Sequence, residues 1–398
     1  MALYDLTEFL RLSAVINYNL SAASLNRYNI LKFILGGKSF DPDSRQDIEK
    51  KGIAMEALNY LFEAYSGRRR RLGPVAVLHP LRATAMFSNA MEDISLVDVL
   101  SLLFHDVLED ISPKDFDDLK WRKMEAKIHS LFDRLDPESE QSLLERLEKL
   151  TKRDHESYNH YIWRLLETSH DTLKRVQIKL ADRLDNTLDM RIELQDPLDG
   201  LDFYEIIFQI MFVYDYHGYV PEMSHPPSAT INGAKRLYQL FKNVVLLSLI
   251  RKKGVVHDDK STKQLFDTIA QASLKEAQRI LIHLIGYHYT SVKKQRTLLL
   301  EAMDYCYSGK SCVITMPNSS LMIDGLFSSY FGVSSTELRN QRLDILYQDK
   351  PLMIEASIAF IVIFSGFLND PLFYVRGISA QGVFPQQGGM HNSAIQHA

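Results

Sequence analysis

The stretch His105-Asp106-Val107-Leu108-Glu109-Asp110 sets an imidazole and three carboxylates inside an apolar helical pattern made by Val97, Leu100, Leu102, Leu103, Phe104, Val107 and Leu108. At about 100° per residue, His105, Asp106, Glu109 and Asp110 fall at roughly 0, 100, 40 and 140° around the axis. All four are expected on one side of a continuous helix, at the edge of its apolar face. Any fold that buries that face carries these polar groups to the border of its core. Carboxylates are rarely buried unless they are paired or bind a metal. The segment alone leaves two readings open: a divalent metal site with acid/base groups beside it, or a solvated acidic edge that includes a histidine.

Two further segments bear on that choice. Upstream, His79-Pro80 follows Arg68-Arg69-Arg70-Arg71-Leu72-Gly73-Pro74. Downstream is Lys179-Leu180-Ala181-Asp182-Arg183-Leu184-Asp185-Asn186, in which Asp182 and Asn186 are spaced i,i+4 and share a helix face. The ordered set H…HD…D resembles the HD superfamily of metal-dependent phosphohydrolases. R-x-x-G ahead of His-Pro, then HDVLED, then KLADRLDN, resembles more narrowly the hydrolase domain of the Rel/Spo family, which removes pyrophosphate from the 3′ position of the alarmone (p)ppGpp. Leu150 to Arg153, Glu156-Ser157-Tyr158 and Tyr161-Ile162 resemble its small stand-alone members. The resemblance covers about residues 50 to 195.

The resemblance implies a mainly α fold with an HD-type helical bundle over residues 51–195, and hydrophobic spacing adds an N-terminal helical segment over 1–50. It implies His79, His105, Asp106 and Asp182 as ligands of a divalent metal. Two imidazoles with two carboxylates suit a borderline or hard ion, and the family points to Mn²⁺. Glu109 and Asp110 match the pair that handles the attacking water, a task for a carboxylate within reach of its proton. Arg70 and Arg71 stand where the family has basic residues that approach the nucleotide, and guanidinium forks suit phosphate oxygens. Asn186 matches a nucleotide contact. Arg183 and Tyr158 are further substrate-side candidates, with packing as the plainer role for Tyr158 and Tyr161. Lys179 is expected along the helix or in an ion pair. The sequence departs from the family at two places: Ala76 replaces a tyrosine ahead of the first histidine, and Asp185 stands where the alarmone enzymes often have histidine.

The expected activity is hydrolysis of a pyrophosphate-bearing nucleotide, (p)ppGpp to GDP or GTP plus pyrophosphate. An HD phosphohydrolase for another nucleotide (a deoxynucleotide or an adenine alarmone) stays open, as does a non-catalytic nucleotide sensor. The net charge of −4 argues against a general nucleic-acid binder. Two cysteines, Cys306 and Cys312, make neither a zinc tetrad nor a disulfide scaffold. The N-terminus lacks a basic leader region, and the apolar run from Ala356 to Leu368 is shorter than the ~20 residues a bilayer span needs. A cytoplasmic protein without a membrane partner is expected, able to form a homo-oligomer.

Outside the motif, hydrophobic spacing predicts helices through residues 1–66, broken at Gly36-Gly37, with Gly67 ending the last. Further helices are expected over 80–92, 96–110, 157–169 and 172–193, and Asp136-Pro137 should start one that ends at Leu150. Residues 196–398 are expected to form a separate domain of helices, 229–252 and 263–285 among them. A small mixed α/β segment should follow, with extended runs at 311–316, 345–347 and 372–375 and a frayed polar tail.

Overall fold

A computed structural model describes residues 5–21, 27–70, 75–189, 195–198, 233–255, 259–307, 335, 337–338, 341, 344–345, 348–369 and 378–383. The described chain is mainly helical. Its contacts group it into two units that interleave along the sequence. The first takes in 1–154, 165–189 and 256–269, and the second 155–164, 190–255 and 270–398. These divisions differ from boundaries at 50 and 195: the N-terminal helices belong to the first unit, and the chain passes to the second unit and back before 195 is reached.

The first unit contains α1 (Leu6–Ser21), α2 (Arg27–Ile34), α3 (Ser44–Ala64), α4 (Leu78–Ala90), α5 (Leu96–Phe104), α6 (Val107–Asp110), α7 (Asp118–Phe132), α8 (Pro137–Leu150) and α10 (Thr172–Leu188); α9 (Tyr158–Leu165) lies mostly in the second unit. Local chemistry sets the ends. Gly36 and Gly37 follow α2 at φ +61° and +76°, and Gly67 follows α3 at +75°, in the left-handed region that glycine enters without penalty. Asp43 caps α3, and Asp136 caps α8 with Pro137 in the first turn. Ser95 and Asp98 close a capping box on α5.

α4 is the central element. Leu78, Leu81, Ala83, Met86 and Phe87 are buried around its whole circumference, because α1, α2, α5 and α10 all pack against it. Each large aliphatic or aromatic side chain removed from water contributes about 1.5–3 kcal/mol. α10, which bears Asp182, makes its most extensive packing on α4, which bears His79. α5 joins both and brings His105 at its end. A buried arginine braces the far side: Arg146 of α8 bonds Asp98 at 2.6 Å and Asp171 at 2.7 and 2.9 Å.

The second unit contains α11 (Gly233–Lys253), most of α12 (Lys260–His288), α13 (Val292–Tyr307) and α14 (Lys350–Asn369). α14 packs on α11 and α13. Ala356, Ile358, Ile361, Val362 and Leu368 are buried. The only strands among the described residues are β1 (Ile378–Ser379) and β2 (Gly382–Val383), an antiparallel pair. Ile345, expected in an extended run, is helical: Asp349 N–H bonds its carbonyl at 3.1 Å, a helical i→i+4 link. The expected runs at 311–316 and 372–375, Cys312 and the tail lie outside the described residues. No helix among the described residues is long and apolar enough to cross a membrane.

Candidate metal centre

Four donors predicted from separate parts of the sequence meet at one point. His79 enters on the first turn of α4, where Pro80 costs no hydrogen bond. His105 ends α5, Asp106 precedes α6, and Asp182 comes from α10. One ligand atom from each lies within 4.8 Å of all the others, with His79, His105 and Asp182 buried and Asp106 partly so. His79 Nε2 stands 3.1 Å from His105 Nε2, and 3.2 Å from both Asp106 Oδ2 and Asp182 Oδ1. His105 Nε2 stands 3.3 Å from Asp106 Oδ1 and 3.7 Å from Asp182 Oδ1.

These separations fit a cation. Donors about 2.1 Å from a shared metal stand about 3.0 Å apart at right angles and about 3.4 Å apart at the tetrahedral angle. The ring orientations fit as well. His105 Nδ1 lies 2.7 Å from the carbonyl of Leu102, and His79 Nδ1 lies 2.6 Å from Asp185 Oδ2. Neither oxygen offers a hydrogen, so each ring carries its proton on Nδ1 and turns the Nε2 lone pair inward. Asp182 is held from outside: Lys179 bonds Oδ2 at 2.7 Å, and the Asn186 amide donates to Oδ1 at 2.6 Å. The group could therefore hold a metal ion.

Without a cation, protons take its place. Burial and the Arg70 guanidinium push His79 down, but Asp106, Asp182 and Asp185 outweigh them and raise it to about 9. His105 also rises well above its ordinary value, because Asp106 and Asp182 together exceed the burial that opposes them. Asp106 and Asp182 are driven up by burial and held well below the carboxylate range by their neighbours, His105 first for Asp106 and Lys179 first for Asp182. Imidazoles held above, and carboxylates held below, their ordinary values are the pattern expected where a divalent ion has been exchanged for protons.

The expected continuous helix is interrupted. α5 stops at Phe104, His105 and Asp106 form a turn, and α6 resumes at Val107. Asp106 sits at φ −100° and ψ −5°, and the His105 ring is tied back to Leu102. At this break His105 Nε2 and Asp106 Oδ1 stand 3.3 Å apart, a convergence that the 100° step of an unbroken helix would oppose.

Glu109 and Asp110 follow on α6 and are reached by solvent. Glu109 Oε1 accepts the Lys152 N–H at 2.7 Å, and Asp110 Oδ2 accepts the Tyr65 hydroxyl at 3.1 Å. Burial raises both carboxyls and the nearby Asp106 charge adds to the rise, while the Lys152 N–H and Lys179 oppose it at Glu109 and the Tyr65 hydroxyl, His79 and Arg70 oppose it at Asp110. Arg70 reaches the same region. It donates to Asn186 Oδ1 at 2.6 Å and stands 3.4 Å from Asp185 and 3.6 Å from Asp189. Arg183 is buried on α10. Arg71 lies outside the described residues. Tyr158 belongs to the second unit, where its ring stands 6.1 Å from Tyr161 and 5.7 Å from the Lys242 ammonium.

Sequence reasoning missed the role of Asp185. It noted this residue only as a departure, yet Asp185 is fully buried and orients His79. It also accepts from Arg82 Nε at 2.6 Å and Nη2 at 3.0 Å. Burial opposes its charge, and Arg82 ahead of His79 holds its carboxyl below the ordinary range. A signal was available: Asp182, Asp185, Asn186 and Asp189 recur at i, i+3, i+4 and i+7, a polar stripe down one helix face. No family model matches this chain, and no curated protein or solved structure matches it.

Proposed function

We propose that this chain is a metal-dependent phosphohydrolase of the HD type that cleaves a pyrophosphate-bearing nucleotide, (p)ppGpp foremost, to GDP or GTP and pyrophosphate. The observation that carries the reading is the convergence of His79, His105, Asp106 and Asp182 at coordination spacing, with Glu109 and Asp110 close behind. A divalent cation bound there supplies Lewis acidity and offsets the charge that builds on phosphoryl oxygens.

The chain's own groups account for the rest. Glu109 and Asp110, raised toward neutrality and open to solvent, are suited to take a proton from the attacking water. The new bond joins water oxygen to phosphorus. The bond from phosphorus to the nucleotide's 3′ oxygen breaks, and that oxygen leaves as a hydroxyl with a proton returned by the acid pair. Arg70 is partly exposed and paired with carboxylates at 3.4 and 3.6 Å, so it can exchange them for phosphate oxygens, to which its fork is matched. Asn186, bonded to Arg70, is the residue this reading assigns to the sugar or base. Mn²⁺ is the metal this reading names.

Incubating purified protein and Mn²⁺ with ppGpp, pppGpp, an adenine alarmone and deoxynucleoside triphosphates, and separating the products by chromatography, tests the reading. Pyrophosphate and GDP from ppGpp are expected. Orthophosphate or triphosphate release without pyrophosphate would remove the alarmone and leave the broader phosphohydrolase. No turnover of any nucleotide by metal-loaded protein would overturn the enzyme.

A further inference from the structure

Arg82 lies one turn after His79 on α4 and is 1% exposed. Its guanidinium holds both oxygens of Asp185 through Nε and Nη2, and Nη2 also meets Asp189 Oδ2 at 2.9 Å. Nη1 reaches Ser13 Oγ at 3.4 Å, and the Phe9 ring centroid lies 4.7 Å from the guanidinium carbon. The plane of the group is thus fixed from three sides, by α10 through the two aspartates and by α1 through Phe9 and Ser13. The same Asp185 Oδ2 accepts from His79 Nδ1.

We infer that Arg82 is a positioning residue for the metal centre and acts through Asp185 to fix His79. The inference rests on the proposed metal site and extends it by one layer. An apolar side chain of similar volume would pack α4 against α10 without the cost of burying a charge. A guanidinium does what that side chain cannot. Its fork holds a buried carboxylate in one orientation, and the carboxylate in turn selects the His79 ring angle and the Nδ1–H tautomer that leaves Nε2 for a cation. His79, Arg82 and Asp185 thus form a chain from the centre outward, with Asp189 as a second anchor. Asp185 is the position where the resembling family often has histidine, so the device belongs to this chain's own pairing of Arg82 with Asp185.

The test is the Mn²⁺ dissociation constant of the full chain, measured by the electron paramagnetic resonance of the free ion. The variants are Arg82→Met, Arg82→Lys, Asp185→Asn and the double Arg82→Met/Asp185→Asn. Arg82→Met and Asp185→Asn should each weaken binding by roughly 10- to 100-fold, the usual effect of losing an outer partner of a metal-bound histidine. The double variant should bind no more weakly than Asp185→Asn, because Arg82 acts only through that carboxylate. Arg82→Lys keeps the charge without the fork and should fall between wild type and Arg82→Met. Substituted Co²⁺ should show altered d–d bands in each single variant, a signature that packing alone would not move.

A folded Arg82→Met protein with wild-type affinity would overturn the inference, as would additive losses in the double variant. If melting curves show Arg82→Met unfolded, the comparison passes to Arg82→Lys and the double variant, and wild-type affinity in either overturns it. Wild-type protein that binds Mn²⁺ but cleaves no nucleotide defeats the proposed activity while the affinity series still decides the role of Arg82. Wild-type protein that binds no divalent ion defeats both.

Discussion

Metal binding at the four-residue centre should be steeply pH-dependent, because a cation there has to displace protons. His79 is raised to about 9 in the metal-free protein, and His105 is raised well above its ordinary value. Below about pH 9, loading releases at least the His79 proton. Each unit of falling pH therefore weakens apparent affinity by about tenfold for one proton and about a hundredfold for two, or about 1.4 and 2.7 kcal/mol. Between pH 8 and pH 6 the apparent dissociation constant for Mn²⁺ should rise by at least ~100-fold. Stability without metal runs the other way. A histidine raised on folding contributes stability that is fully present below its ordinary 6.5 and is lost as pH climbs through about 9. The metal-free first unit should thus lose stability between pH 6.5 and 9.

Scanning fluorimetry at pH 6, 7 and 8, with and without Mn²⁺, reads both effects. At a hundredfold excess over the dissociation constant the ion adds about 2.7 kcal/mol, or about 5 to 10 °C in Tm for a unit of this size. The shift at a fixed Mn²⁺ concentration should grow with pH. A shift of equal size at pH 6 and pH 8 would refute proton displacement, and no shift at either would refute the centre.

Glu109→Gln should leave stability within about 1 kcal/mol, since the side chain is solvent-reached, while turnover falls by roughly 10²-fold or more; unchanged turnover in Glu109→Gln/Asp110→Asn would remove the pair from the chemistry. Arg70→Ala should raise KM more than it lowers kcat, because its phosphate contacts form in the ground state as well; the reverse split in steady-state kinetics would assign Arg70 elsewhere. Arg146→Met should cost about 1–3 kcal/mol in urea unfolding, because Asp98 and Asp171 lose the guanidinium they share while Asp98 keeps the Ser95 N–H and the Lys174 ammonium at 3.4 Å, and leave Mn²⁺ affinity unchanged; a matching loss of affinity would tie that brace to the centre. If the chain acts as proposed, Ala76, standing where the resembling family has tyrosine, should leave kcat/KM for guanine and adenine alarmones within about tenfold of each other, and a larger preference for guanine would show that Ala76 is not the residue that sets it.

The parts legible in the sequence are those that local chemistry dictates. Gly36-Gly37, Gly67 and Asp136-Pro137 end or start helices because φ and capping requirements act within a few residues. The four residues that meet at the candidate centre were legible because metal donors come from few residue types and their order resembles the HD pattern. Asp185 was not, since its partner His79 is 106 positions away and nothing local separates an orienting carboxylate from a solvated one. The turn at His105-Asp106 escaped a periodicity argument that takes the helix as unbroken: the apolar spacing on both sides is compatible with α5 and α6 as one rod. Arg82 also ran against pattern, because an arginine on a helix is ordinarily solvated and this one is buried by packing that only the tertiary fold creates.

The polar stripe on α10 is hard to explain by stability. Asp182, Asp185 and Asp189 are all buried on one face of a helix, and burying a paired charge is often no more stabilising than burying an apolar side chain of similar volume. Leucines at these positions would pack α10 on α4 at lower cost. What the stripe does is divide labour by depth. Asp182 presents an oxygen to the centre, Asn186 and Lys179 hold that oxygen's carboxylate, Asp185 sets the angle of His79, and Asp189 anchors Arg82 behind it. Arg70 closes the outer end by touching Asn186, Asp185 and Asp189 at once. A phosphate that drew Arg70 away would therefore change the charge facing Asp185, and through it the setting of His79, so substrate and metal should sense one another along this single helix face.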